Sequence, residues 1–262
     1  EMILDELAAH ARARVAADMA ENSLDVLRMH CEALGRADGA RFERALKRPG
    51  LSFICEVKKA SPSKGVIDPR FDYLSIAQAY EAAGADCVSC LTEPKWFLGS
   101  DAVFQEIRGA VSTPMIRKDF TIDEYQIYQA RLMGADAVLL ICALLDTRTI
   151  AQYLELCDTL GLSALVVTHD EREIASAFSS GARMIGINNR NLKNFAVDFG
   201  NAARLRGRIP PEALFVAESG VSSPADAAAL HRIGADAVLV GEALMRANDK
   251  GAMLAAMREA AK

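Results

Sequence analysis

The sequence predicts an α/β protein folded as a (β/α)8 TIM barrel, preceded by an N-terminal helical extension. Three observations predict it. Eight short runs rich in Val, Ile and Leu recur along the chain, an amphipathic stretch separates each run from the next, and one glycine-centred phrase returns four times. The phrase reads AGADCV at 83–88, MGADAV at 133–138, SGARMI at 180–185 and IGADAV at 233–238. In each, a glycine ends a helical pattern and an apolar strand begins, as suits a position after a helix that needs φ > 0. The glycines are 84, 134, 181 and 234, so each interval holds two strands and two helices rather than one solenoid unit.

Residues 1–48 precede the first strand and read as helix. Leu24, Leu27, Cys31 and Leu34 share one face, with Ser23 as the N-cap. Two roles are open to this extension: packing on the barrel wall, or covering one mouth. The strands follow in order as FICEV (53–57), CVSCL (87–91), PMIRK (114–118), AVLLI (137–141), ALVV (164–167), MIGIN (184–188), LFVAE (214–218) and AVLVG (237–241). Helical segments between them include LSIAQAYEAAG, TIDEYQIYQARLMG, TIAQYLELCDTLG and SPADAAALHRIG. Continuous apolar strands alternating with amphipathic helices call for a parallel sheet covered by helices. Eight such units fit a closed barrel better than an open sheet. A doubly wound fold is the alternative, but no G-x-G-x-x-G follows the first strand. The expectation is a single domain over 1–262, with the barrel core at 50–248.

Composition excludes several classes. A net charge of −5 leaves no basic footprint for nucleic acid. The longest apolar run, AVLLICALL at 137–145, is too short to span a bilayer. The early segment ILDELAAHARAR is amphipathic and acidic, unlike a secretory signal, so the cytoplasm is expected. Six scattered cysteines read as reduced core residues. Cys87 and Cys90 form a C-x-x-C, but on a strand an i, i+3 pair points to opposite faces, and no second pair accompanies it. His169 lacks companions at ligand spacing and reads as a loop histidine. There is no P-loop, zinc spacing or nucleophile elbow, and neither a metal nor a cofactor is expected.

Polar residues at the C-terminal ends of barrel strands mark chemistry, because the site is built there. Strand 1 ends in Glu56-Val57-Lys58, with Glu56 and Lys58 on one inward face by alternation. Strand 3 ends at Lys118-Asp119, strand 6 at Asn188-Asn189-Arg190, and strand 7 at Glu218-Ser219-Gly220. Burying so many charges is costly without a role. Ser219-Gly220 and Gly241 lie in the loops after strands 7 and 8, where barrels often bind phosphate. Trp96, after strand 2, either plugs the core or lines a pocket for an aromatic substrate.

The chain resembles indole-3-glycerol phosphate synthase from about residue 50 to 248. The resemblance is carried by EVKKASPSKG (56–65), LTEPKWFLGS (91–100), IRKDF (116–120), GADAVLLI (134–141), IGINNRNL (185–192), AESG (217–220) and VGEALMR (240–246). It implies a carboxy-lyase of tryptophan biosynthesis that works without a cofactor. The substrate would be 1-(2-carboxyphenylamino)-1-deoxyribulose 5-phosphate, a phosphorylated anthranilate derivative. It would be converted to indole-3-glycerol phosphate, carbon dioxide and water. By resemblance, Lys118 is the acid for ring closure and Lys58, beside Glu56, the acid for dehydration, with Glu56 holding or accepting protons. Asn188 and Arg190 match positions near the substrate's carboxylate and hydroxyls. Ser219, Gly220 and Gly241 match phosphate contacts, Ser61 and Glu218 match further active-site positions, and Phe120 and Trp96 would pack on the anthranilate ring.

One position departs from the pattern. After strand 5 the family reads L-V-E-x-H-D, whereas this chain reads Leu165-Val166-Val167-Thr168-His169-Asp170, with Val167 at the glutamate's place. Valine can neither move a proton nor hold a hydroxyl. Two alternatives to full turnover therefore stand beside it: a barrel that binds the ligand without catalysis, and altered chemistry that stops before dehydration. A monomer is expected, with weak association to other tryptophan-pathway enzymes as an option, and neither nucleic acid nor membrane as a partner.

Overall fold

The computed structural model describes residues 3–262. Eight parallel strands close into a barrel in chain order: β1 (Ser52–Val57), β2 (Cys87–Leu91), β3 (Met115–Lys118), β4 (Ala137–Ile141), β5 (Ser163–Thr168), β6 (Met184–Asn188), β7 (Leu214–Glu218) and β8 (Ala237–Val240). The seam pairs β1 with β8, from Ser52 with Ala237 to Cys55 with Val240. Helices α1 (Ile3–Glu21), α2 (Leu24–Leu34) and α3 (Arg41–Leu46) precede the barrel. Around it run α4 (Tyr73–Ala82), α5 (Asp101–Ala110), α6 (Glu124–Leu132), α7 (Thr147–Leu160), α8 (Glu171–Ser179), α9 (Asn201–Leu205), α10 (Pro224–Arg232), α11 (Glu242–Arg246) and α12 (Lys250–Ala260). No helix among the described residues is long and apolar enough to cross a membrane.

The repeated phrase has a double function. Its four glycines adopt φ between +82° and +92°, a conformation only glycine takes without strain. In three copies the aspartate two residues on reaches back to a neighbouring strand. Asp86 accepts from the Phe53 N–H at 2.8 Å, Asp136 from Met115 at 2.8 Å and Asp236 from Phe215 at 2.7 Å. Each carboxylate thus satisfies the first free donor of a strand and sets its register. The fourth copy carries Arg183 instead, which pairs with Glu43 and Asp158.

Alternation divides the buried side chains into two sets. Ile54, Cys87, Ile116, Ala137, Leu165, Met184, Val216 and Ala237 fill the barrel, while the opposite strand faces pack under the helices. Cys87 belongs to the inner set and Cys90 to the outer, so the C-x-x-C cannot act as a pair. All six thiols are free, and burial pushes those of Cys87 and Cys90 upward, so both are inert.

The extension closes both ends of the barrel. On the side where the strands begin, Phe42 and Leu46 of α3 enter the inner core, and the preceding Gly39 carbonyl accepts from Ser163 Oγ at 2.6 Å. On the other side, α1 lies over the mouth. Leu4, Leu7 and Ala11 pack on the inner core, and Arg14 forks onto Asp119, just past β3, at 2.6 and 3.1 Å. Ser23 caps α2 as its sequence predicts, and Leu27 and Cys31 are buried. Leu34 departs from that face and is 56% exposed, because α2 ends there and its last turn has no neighbour to cover it. A two-residue hairpin, Ala60–Ser61 with Gly65–Val66, adds a small flap after β1.

Candidate active site

At the C-terminal end of the barrel the inward residues of β1, β3, β6 and β7 change from apolar to polar, as Glu56, Lys118, Asn188 and Glu218. A cavity of about 530 Å³ opens there, lined by Glu56, Lys58, Ser61, Lys118, Phe120, Val167, Asn188, Arg190, Glu218, Ser219, Gly220 and Gly241. That volume suits a small-molecule ligand. Of the candidate residues named from sequence, Trp96 and the strand-end Asn189 are not part of this wall.

Glu56 is the hub. Its Oε2 accepts from Lys118 Nζ at 3.1 Å and from Ser89 Oγ at 2.8 Å, and its Oε1 lies 3.4 Å from Lys58 Nζ. Burial alone would raise its pKa, but the two ammonium groups and the Ser89 hydroxyl outweigh burial and hold it at about 2. Burial likewise works against the charge on Lys118. Glu56 and Glu218 more than offset it, so the lysine's pKa lies above its ordinary value and it is fully charged at neutral pH. A carboxylate shared by two lysines keeps two proton donors ready within one pocket.

Glu218 ends β7 beside Asn188, its register partner on β6. It is buried, and its Oε1 has no hydrogen-bond partner among the described residues. Burial raises its pKa, partly opposed by Lys118 and His169 and reinforced by Glu56. Asn188 Oδ1 accepts from the Arg190 N–H at 2.9 Å, and Arg190 reaches across to Ser63 Oγ at 3.3 Å on the flap after β1. Asn189 faces away from the cavity, bracing the loop through the Ser219 carbonyl and the Ala202 N–H.

Ser219 and Gly220 take φ of +67° and +84° in succession. A left-handed serine is strained, and such strain concentrates at ligand sites. Gly241 shows a further reason to be glycine. A Cβ there would lie 3.0 Å from Glu56 Oε1 and 3.1 Å from Lys58 Nζ, so its bare backbone leaves room for the Glu56–Lys58 pair.

An apolar part of the wall is formed by Leu91, Phe97, Phe120, Leu139, Ile141 and Val167, with Ile3 and Leu7 of α1 as the roof. Phe97 and Phe120 meet with ring centroids 6.0 Å apart. Glu93 accepts from the N–H groups of Lys95, Trp96 and Phe97, and Leu98 is left-handed, so this turn carries Phe97 into the cavity. Trp96 instead stands edge-on to His10 of α1 at 5.4 Å, with Lys95 Nζ 4.4 Å from its ring centre. It anchors the roof and does not contact the cavity. Ser89, Phe97 and the Arg14–Asp119 latch are site features that the sequence reading did not name. A polar residue inside the apolar run CVSCL was the one available signal for Ser89.

A family model described as indole-3-glycerol phosphate synthase matches residues 4–257. The indole-3-glycerol phosphate synthase of Ruminiclostridium cellulolyticum is 53% identical over 99% of this chain and 100% of its own length. That of Lacticaseibacillus paracasei is 46% identical over 99% and 100%. Among solved structures, 3-hexulose-6-phosphate synthase from Salmonella typhimurium superposes with a TM-score of 0.64 at 14% identity, over 80% of this chain and 98% of that one. Tryptophan synthase subunit alpha from Legionella pneumophila does so with a TM-score of 0.61 at 16% identity, over 84% and 97%. Those two likenesses concern the barrel alone.

Proposed function

The chain belongs to the indole-3-glycerol phosphate synthase family, and from that premise we propose how its cavity converts 1-(2-carboxyphenylamino)-1-deoxyribulose 5-phosphate to indole-3-glycerol phosphate. The observation that carries this reading is the Lys118–Glu56–Lys58 bridge, set between an apolar aromatic wall and a strained glycine turn. The anilino ring lies against Phe97 and Phe120, and the phosphate sits at Ser219–Gly220, where a glycine lets oxygens approach the backbone. The ring carbon bearing the carboxylate attacks the ketone, and Lys118 protonates the oxygen as charge develops on it. Carbon dioxide leaves and the ring regains aromaticity. The new hydroxyl then departs as water with a proton from Lys58, while the adjacent methylene loses a proton to complete the indole. Glu56 holds both lysines in place and helps keep Lys118 charged. Asn188 and Arg190 orient the carboxylate and hydroxyls, and Ser61 borders the same end.

The residues act as one domain, with the described helices before β1 as its cover. Six unpaired cysteines suit a reducing compartment such as the cytoplasm, and a monomer suffices, since each site residue comes from one chain. The test is incubation with the phosphorylated substrate while indole fluorescence and product mass are followed. Product of the mass of indole-3-glycerol phosphate supports the reading; tight binding without turnover overturns it.

Two outcomes follow for the cavity walls. A substrate analogue lacking the phosphate is expected to bind far more weakly, and Gly241→Val to weaken phosphate binding and displace Lys58 as well. Equal dissociation constants for both ligands, measured by calorimetry, remove the phosphate assignment. Val167 is buried in the wall near Gly186 and Glu218. Val167→Glu is expected to raise turnover by at least about tenfold. It should also lower the thermal midpoint, because a second carboxylate is buried there. Paired kinetics and melting curves check both effects, and a well-folded Glu form that works no faster contradicts the first.

A further inference from the structure

Two aromatic rings of the cavity wall sit in turns rather than strands, and each is aimed by a carboxylate of its own turn. Phe97 and Phe120 lie beyond the ends of β2 and β3, with ring centroids 6.0 Å apart and planes at 44°. Glu93 Oε2 accepts from the Trp96 and Phe97 N–H groups at 2.7 and 2.9 Å. Asp119 Oδ1 accepts from the Phe120 N–H at 2.8 Å. Both carboxylates are buried, so a shift of either turn would leave a buried charge with fewer donors, which is costly. Thr92 ties the two turns together. The last register pair of β2 and β3 is Leu91 with Lys118. Just past it, the Thr92 N–H donates to the Lys118 carbonyl at 3.1 Å, and the Thr92 hydroxyl donates to Asp119 Oδ2 at 2.5 Å. The same hydroxyl accepts from Arg117 Nε at 3.2 Å. Gly99 closes the first turn. A Cβ there would lie 2.2 Å from the Leu91 carbonyl oxygen, so the turn folds tightly back onto the end of β2.

We propose that Thr92 is a positioning residue for substrate binding: through Asp119 and the adjoining Glu93 it fixes Phe97 against Phe120, and so fits the cavity to a planar aromatic ring. This rests on the activity proposed above, whose substrate carries such a ring. Thr92 and Glu93 lie behind the cavity wall, so neither touches the ligand itself. Their effect is preorganisation. A clamp whose rings are already set meets its ordering cost in folding, and less of the binding free energy is lost in arranging it. Aromatic contacts also depend on the offset and tilt of the rings, so a small movement of one turn is felt in the fit. The reacting groups stand apart from this linkage. Lys118 Nζ is held by Glu56, and the Thr92 bond to the Lys118 carbonyl uses only backbone atoms, which a change of side chain leaves in place.

The test measures dissociation constants by calorimetry for two phosphorylated ligands that cannot cyclise. One is the substrate with its ketone reduced to an alcohol. The other is the same molecule with a carboxyethyl chain in place of the carboxyphenyl ring, so that both keep the carboxylate and the phosphate. Thr92→Val preserves the shape of the side chain and removes its hydroxyl. It should weaken the ring-bearing ligand about tenfold, roughly the worth of one hydrogen bond to a charged group. The ringless ligand should stay within about twofold of its parent affinity. In turnover, KM should rise with kcat little changed, the pattern of a lost ground-state contact. Thr92→Ser restores the hydroxyl and should regain most of the affinity, and Glu93→Gln should give the same selective loss from the other turn. Because the effect runs through the rings, Thr92→Val should cost little in a Phe120→Ala background. Equal weakening of both ligands, an unaffected ring-bearing ligand, or losses that multiply in the double variant would overturn the proposal. If Thr92→Val does not fold, the ratio of the two affinities in Glu93→Gln decides by itself. A parent that makes no indole product defeats the proposed activity, and that failure is visible in the parent alone. A parent that turns over normally, with Thr92→Val binding both ligands as before, defeats only this assignment.

Discussion

Lys118→Ala is expected to reduce indole formation by about 10²–10⁴-fold, the usual worth of a positioned acid, while substrate remains bound and unaltered. The lysine ends β3 on the inward face, its ammonium 3.1 Å from Glu56 and kept charged by that neighbour and by Glu218. No other lysine shares Glu56 Oε2. Lys58 instead lies 3.4 Å from Oε1. The two lysines are assigned to different steps of the proposed reaction, so their loss should look different. Lys58→Ala should let a decarboxylated, still hydrated species build up, which rapid-quench mass analysis separates from untouched substrate. Identical patterns from both variants would remove the division of labour.

Glu56→Ala should cost activity and stability together. Removing the buried carboxylate takes away the shared partner of two half-buried ammonium groups, a change worth about 3–5 kcal/mol when a buried pair is broken from one side. For a chain of this size that lowers the thermal midpoint by roughly 10 °C. The pH dependence gives an independent check. Glu56 has a folded-state pKa of about 2 against an ordinary 4.5. Its stabilising contribution is therefore complete above the ordinary value and is lost as pH falls toward the folded one. The gap in midpoint between parent and variant should be full near neutrality and should close as pH falls through that window. A gap that is constant down to the lower value contradicts the ion-pair account.

Much of the fold was legible because its signals are local. MIGIN, CVSCL, AVLLI and LFVAE match β6, β2, β4 and β7 residue for residue. Each is a continuous apolar run bounded by a left-handed glycine or a polar strand end. The inward placement of Glu56 and Lys58 followed from period-two alternation, and Lys118, Asn188 and Glu218 were marked by polar residues at the C-terminal ends of apolar strands. What alternation could not supply was pairing across long stretches of chain. Arg14 and Asp119 carry no local mark of their contact, and neither do Ser89 and Glu56. The choice between Trp96 and Phe97 was a matter of turn geometry. A one-residue rotation, fixed by the Glu93 caps and the left-handed Leu98, decides which ring enters the cavity. Leu34 shows the converse error, in which periodicity continued past the point where a neighbour was present to bury it.

The seam between β1 and β8 sets the timing of folding. Ser52–Cys55 hydrogen-bond with Ala237–Val240, so one edge of the first strand waits for nearly the whole chain to leave the ribosome. Until then that edge offers unpaired N–H and C=O groups along a largely apolar segment, the kind of template on which strands from other chains add. Contacts so distant in sequence are slow to form, since loop-closure entropy must be met before they contribute. The nascent protein therefore spends its synthesis with its most aggregation-prone edge uncovered. The last strand to emerge is the one that removes it.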